Sequence, residues 1–372
     1  MRLSLHIGLL AAVSVVTVGY AFSKKSRINK KHCIQLVTII LTLFSGLRSW
    51  KMGDVYHYCY AFQHCNDAAW KLDFTSRDTI GLQLLFRLVG QLHLEFGACL
   101  FLIAAFTAIV LGIFVFRYST SPYLSYLIYI CLGNYIFTMS ALKQTISMGF
   151  IMLAMIAVIE SKPRRFVLLV VFAALFHTPA LIFLPAYIIA RKKIDAIYFL
   201  GLVAIAAAIL LFRNQIVNFA AGLYYEGELK YDAAERVGGK FLVMLGILAA
   251  AMIIHPLKKS SLVYRNLFNV TVLAAILQSF SVYDNVFTRL ADYYFQFFPV
   301  FVPLVLDDRT VRDQGNESAL PIIGYGLPYK LCAAAVVVIT IGSVLFYVST
   351  LNGCEALLRE FHFFWENDAL FS

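Results

Sequence analysis

His177 sits in the apolar run FAALFHTPALIF, where an imidazole has few polar neighbours. Keeping an ionisable group inside such a stretch is costly, which makes it a functional-site candidate. A second set of residues is cationic. Arg48, Lys51, Arg87, Lys143 and Arg289 each lie beside or within an apolar run. Asp54, Asp292, Gln144, Tyr56, Tyr58 and Tyr60 accompany them. The topology below gathers these residues in the outer half of a membrane. Several cations converging there suit an anionic ligand. A phosphate or diphosphate at headgroup depth fits, because arginine matches its oxygens bidentately. The outer tyrosines and tryptophans suit sugar faces, although an interfacial aromatic belt explains most of them.

The elements that must position these residues are apolar. The chain has 372 residues, 61% hydrophobic and 14% charged, against ~25% charged for an average soluble domain. Apolar runs recur along the whole length, so the expectation is one polytopic α-helical membrane domain over 1–372. The first run, Leu3 to Phe22, lacks a small-x-small cleavage site and reads as a span rather than a removed signal. The net charge of +10 is concentrated in short basic segments between apolar runs. That is the pattern of topology-setting loops, and it argues against nucleic acid as a partner. Cys59 and Cys65 cannot bridge within one regular helix, where their side chains diverge. His57, Cys59, His64 and Cys65 lack a zinc-site spacing, so no metal is expected.

Basic loops fix the topology. The run Lys24 to Lys31 places the side between the first two spans in the cytoplasm. Residues 48–79 and 213–240 then form outer loops, and both termini lie outside. Ile80–Phe96 carries Gln83, Arg87, Gln91 and His93 and reads as a short helix dipping into the bundle. Between Ser161 and Lys193, Lys162, Arg164 and Arg165 flank one end of an apolar segment, and Arg191, Lys192 and Lys193 flank the other. A single crossing would strand one cluster on the wrong side. Pro179 removes a backbone donor mid-segment. The reading is a re-entrant hairpin over 164–190 turning at His177; the alternative is one kinked helix with a satisfied histidine. The sum is about ten transmembrane helices plus two short re-entrant or partial ones. Single spans are expected over Tyr123–Phe137 and Leu290–Leu306. The outer loop 213–240, rich in Tyr, Asp and Glu, offers stacking faces and hydroxyl acceptors for specificity.

Three ordered pieces resemble a known family. LRSWKMGDVYHY is similar to the R-x(4)-G-x-D-x-x-x-Y signature of EpsG-type polysaccharide polymerases, with Arg48, Gly53, Asp54 and Tyr58 on it. SALKQTISMGF followed by FAALFHTPALI resembles the family's R-Q span start and A-x-x-F-H element, matching Gln144, Ala174, Phe176, His177, Ala180 and Leu181. TRLADYYFQFF resembles the late R-x-x-x-Y-F span through Arg289 and Tyr293 or Tyr294. One departure is Lys143, where the family usually carries arginine; the charge survives but bidentate geometry is lost.

The resemblance extends to Wzy-type O-antigen and capsule polymerases and, more distantly, to GT-C glycosyltransferases. It implies joining of oligosaccharide repeat units carried on undecaprenyl diphosphate, at the periplasmic face of the bacterial inner membrane. No cofactor or nucleotide sugar is implied. A chain-length regulator and a flippase are the implied companions. Such a step needs a base for the acceptor hydroxyl and cations for the diphosphate leaving group. Asp54 or His177 is the candidate base. Arg289, Arg48 and Lys143 are the candidate diphosphate ligands, with Arg87 behind them and Tyr58, Gln144 and Tyr293 as substrate-site residues. Structural alternatives stand beside each role. Asp54 can cap a helix or pair with Arg48, His177 can position a helix, and Arg289 can pair with Asp284 or Asp292. Other functional classes are a lipid-linked sugar flippase and a membrane glycosyltransferase adding a single group.

Overall fold

The computed structural model describes residues 3–22, 27–51, 54–74, 79–193, 197–198, 200–201, 204–205, 207–208, 211–212, 215, 238–254, 261–281, 283, 285–306, 329–353, 361 and 363–366. Most of the outer loop 213–240, together with Gly53 and Asp284, lies outside the described residues. Of the described residues 83% are helical and none forms a strand, which makes the class all-α. Among the described residues four helices are long and apolar enough to cross a bilayer. These are α1 (Leu3–Phe22), α5 (Phe96–Tyr118), α8 (Leu142–Ile159) and the last helix, α15 (Tyr329–Gly353). Burial ranks them. The spanning window of α8 is 83% buried and is the centre of the bundle, whereas those of α1 and α15, at 33% and 22%, are peripheral.

The other helices follow in chain order, α2 with 20 residues and the rest with 17 or fewer. They are α2 (Arg27–Gly46), α3 (Val55–Cys65), α4 (Ile80–Gln91), α6 (Pro122–Cys131), α7 (Asn134–Ser140), α9 (Pro163–Phe176) and α10 (Ala186–Ile189). After these come α11 (Gly239–Ile254), α12 (Leu262–Gln278), α13 (Asn285–Phe295) and α14 (Phe298–Leu306). Two expected spans are broken. The segment 123–137 divides into α6 and α7 at Gly133, whose φ of 86° lies in the left-handed region that glycine enters without penalty. The segment 290–306 divides into α13 and α14 at Gln296 and Phe297, because Pro299 has no N–H for the Phe295 carbonyl and its ring crowds that carbonyl. Residues 48–79, expected as a loop, contain α3, on which Cys59 and Cys65 are both buried.

Two apolar clusters hold the bundle. The larger joins α1, α2, α5, α6, α8, α12, α13 and α14. The smaller packs Phe62 of α3, Phe86 of α4 and Phe96 of α5, with ring centroids 5.7–5.8 Å apart. At about 1.5 Å per residue, the 18 residues of α8 span about 27 Å. One end carries Lys143. The other carries Glu160, which takes hydrogen bonds at 2.8 Å from both Arg117 and Lys162, with Arg165 at 3.8 Å. Two charged layers are thus separated by roughly the ~30 Å thickness of a bilayer core.

After α8 the chain turns at Ser161 and re-enters as α9. This helix ends at Phe176 because His177 is extended, with φ −154° and ψ 100°. Pro179 then supplies no N–H, and the chain continues as a 3-10 helix over Thr178–Phe183. The direction reverses here. Tyr187 lies 5.2 Å from Phe166 between ring centroids, although 21 residues of continuous helix would put them about 31 Å apart. Arg191, bonded to the Tyr187 hydroxyl at 2.8 Å, therefore lies at the same end as Arg165. Asn269 of α12 secures the returning arm by donating to the carbonyls of Ile189, Ala190 and Lys192 at 2.9–3.1 Å. Those carbonyls lie at the end of a helical turn, where backbone acceptors run out of helical partners; that of Ile189 also accepts from the backbone N–H of Lys192 at 3.1 Å.

Candidate active site at the hairpin apex

Three helices meet His177. From the hairpin apex its Nδ1 lies 2.6 Å from the Tyr293 hydroxyl of α13, and the two rings are nearly parallel at 28°. The Tyr293 hydroxyl in turn donates to Ser147 Oγ of α8 at 3.1 Å. When the Tyr293 proton goes to Ser147, Nδ1 donates to Tyr293 and Nε2 keeps the lone pair. A histidine held in this tautomer presents an acceptor nitrogen, as a general base must.

Neighbouring elements fix the apex. Thr79, at the start of α4, donates to the Phe176 carbonyl at 2.6 Å, taking up a group that the broken helix leaves open. Gly81 follows it closely. A Cβ there would come within 2.8 Å of the Leu175 carbonyl, so glycine is required for α4 to approach the end of α9. Gln144, buried one turn before Ser147, donates to the Arg289 carbonyl at 2.6 Å and ties α8 to α13.

The cations gather around this relay. Lys143 and Arg289 both lie near enough to act on His177 electrostatically. The Arg289 side chain is exposed and Lys143 is half-buried. Lys143 Nζ stands 5.9 Å from the centroid of the Tyr58 ring, a cation–π approach that brings α3 to the site. Asp54 precedes α3 by one residue and is exposed, one helical turn before Tyr58 and on the same face. Its side chain makes no cap hydrogen bond.

The structure thus brings together His177, Lys143, Gln144, Arg289, Tyr293 and Tyr58, with Asp54 one turn away. It sends two expected site residues elsewhere. Arg87 donates to the carbonyls of Cys65 and Asp67 at 3.1 and 3.3 Å and lies 5.4 Å from the Trp70 ring, so it braces α4 against the end of α3. Arg48 is 2% exposed. It donates to the Ser45 carbonyl and to Ser45 Oγ, and its backbone bridges Phe363 of the C-terminal segment. Sequence reasoning missed Ser147 and Thr79. The signal for Ser147 was a hydroxyl in an apolar helix, one turn after Gln144. Among the described residues no group of His, Cys, Asp and Glu could hold a metal ion.

A buried polar relay ringed by cations, at one end of an apolar helical bundle, defines a multi-pass membrane protein with a built site. The chain belongs to the EpsG family, the family of polysaccharide polymerase-like proteins, whose pattern matches residues 31–351. No curated protein and no solved structure matches it.

Proposed function

We propose that the protein polymerises oligosaccharide repeat units carried on undecaprenyl diphosphate, acting as a glycosyltransferase at the periplasmic face of the inner membrane. The bundle then has about ten spans in a GT-C-like arrangement, with both termini periplasmic and the hairpin 164–190 re-entrant from the cytoplasm. The observation that supports this reading best is the His177–Tyr293–Ser147 relay beside Lys143 and Arg289. His177 Nε2 takes the proton of the acceptor hydroxyl as that oxygen attacks the anomeric carbon of the lipid-linked chain. The glycosyl–phosphate bond breaks, and the departing lipid diphosphate carries the developing negative charge. Arg289 and Lys143 meet that charge. Tyr293 and Ser147 hold the imidazole in the tautomer the step needs. Asp54, exposed one turn from Tyr58, is placed to orient an acceptor sugar hydroxyl.

Reconstitution of the purified protein with one lipid-linked repeat unit tests the reaction. Ladders of longer lipid-linked chains are expected. Movement of the substrate across the bilayer without growth would make the protein a flippase. Addition of one group alone would make it a simple transferase.

A further inference from the structure

Two charged residues near the relay have no part in the step above. Asp292 lies on α13, 6% exposed, between Arg289 and Phe295. Lys240, on the first turn of α11, reaches the same face, with Nζ 5.2 Å from the centroid of the Phe295 ring. Arg289 and Lys240 are the cations that act on the Asp292 carboxylate. A buried carboxylate is costly unless cations compensate it.

Helix geometry orders these groups. Tyr293 follows Arg289 by four residues and Asp292 follows it by three, so they lie on opposite flanks of Arg289. The Tyr293 flank faces His177. The Asp292 flank faces Lys240, since Phe295 lies on that side. Arg289 is exposed between the two, and Lys240 is half-buried. The cations therefore form a row, with Lys143 near the imidazole, Arg289 in the middle and Lys240 beyond.

We propose that Lys240 is a third phosphate-binding cation of this site, reading the phosphate farther from the bond that breaks, and that Asp292 positions it. The proposal rests on the reading of the ligand as a lipid diphosphate. Lys143 and Arg289 meet the phosphate attached to the sugar. Lys240 meets the second phosphate and distinguishes a diphosphate from a monophosphate. Asp292 touches no substrate. It holds the ammonium and the guanidinium apart in register, which mutual repulsion would otherwise oppose.

Titration calorimetry in detergent micelles at fixed salt, with farnesyl diphosphate and farnesyl monophosphate as probes, tests this. The wild type is expected to prefer the diphosphate. Lys240→Gln should weaken diphosphate binding about tenfold and leave monophosphate binding within about twofold, while Lys240→Arg keeps the preference. Asp292→Asn removes a negative charge, and by charge count alone should tighten anion binding. Positioning predicts looser diphosphate binding instead, restored by Asp292→Glu. Equal weakening of both ligands by Lys240→Gln would show a structural role and overturn the proposal. So would unchanged diphosphate binding in that variant, or tighter binding in Asp292→Asn. If Arg289→Ala weakens both ligands while Lys240→Gln weakens neither, the row ends at Arg289 and the functional reading stands. If the wild type binds neither ligand, both readings fall.

Discussion

Arg48 and Arg289 look alike in the sequence, each an arginine at the edge of an apolar segment, yet the fold treats them in opposite ways. Arg289 stands exposed on α13, next to the imidazole relay. Arg48 is sealed. Phe363 pairs with its backbone, the Phe364 N–H donates to the Leu47 carbonyl at 3.1 Å, and Phe361 stacks on Phe44 at 4.9 Å. Its Nε and Nη2 groups are buried without a hydrogen-bond partner. An exposed cation can respond to a ligand. A buried one with donors left open is committed to the fold, because any change leaves its surroundings to be resatisfied. On this contrast we propose Arg289 for the chemistry and Arg48 for the architecture.

The sharpest way to break that assignment begins at the relay. His177→Ala should lower polymerisation about 100- to 1000-fold, as loss of a general base does, with the protein still inserted and folded. Chain-length ladders of wild-type length from this variant would remove His177 from the chemistry. Arg289→Ala comes next, with an expected loss of about 100-fold in rate beyond any loss of folded protein. Arg48→Ala should do the reverse. It should destabilise the protein by about 3 kcal/mol, read as a fall in melting temperature in detergent, with activity lost in proportion to folded protein. A variant that keeps its melting temperature but cannot polymerise would place Arg48 at the site after all. Tyr293→Phe removes the hydroxyl between His177 and Ser147, and a tenfold fall in rate is expected, about 1.4 kcal/mol of barrier.

The smallest effect lies at the far end of α8. The hydrogen bond from Lys162, and then that from Arg117, hold the Glu160 carboxyl below the usual carboxylate range. A depressed folded-state value means stability that is present at neutral pH and lost as pH falls through that value. The group is partly exposed, so Glu160→Gln should cost about 0.5 kcal/mol or less at pH 7 and nothing at acid pH. A variant as stable as the wild type at both pH values would show the cluster to be idle.

Some of this was legible in residues taken singly. Long runs without charge can only be helices buried in lipid or in one another, so the all-α membrane class followed from composition and spacing. His177 stood out because an imidazole and a proline interrupt an apolar run, and α9 does end one residue before it. The relay was less legible. Ser147 is an ordinary helix residue until α13 brings Tyr293 against it from 146 residues away. The breaks at Gly133 and before Pro299 were hidden inside runs whose hydropathy is continuous.

Local chemistry by itself determined which segments are apolar, where proline and glycine interrupt them, and which side chains carry charge. Only the tertiary structure decided which cations share a site. Charge type is a property of the residue, but exposure depends on what packs over it. A C-terminal segment more than 300 residues away covers Arg48, whereas among the described residues Arg289 stays exposed.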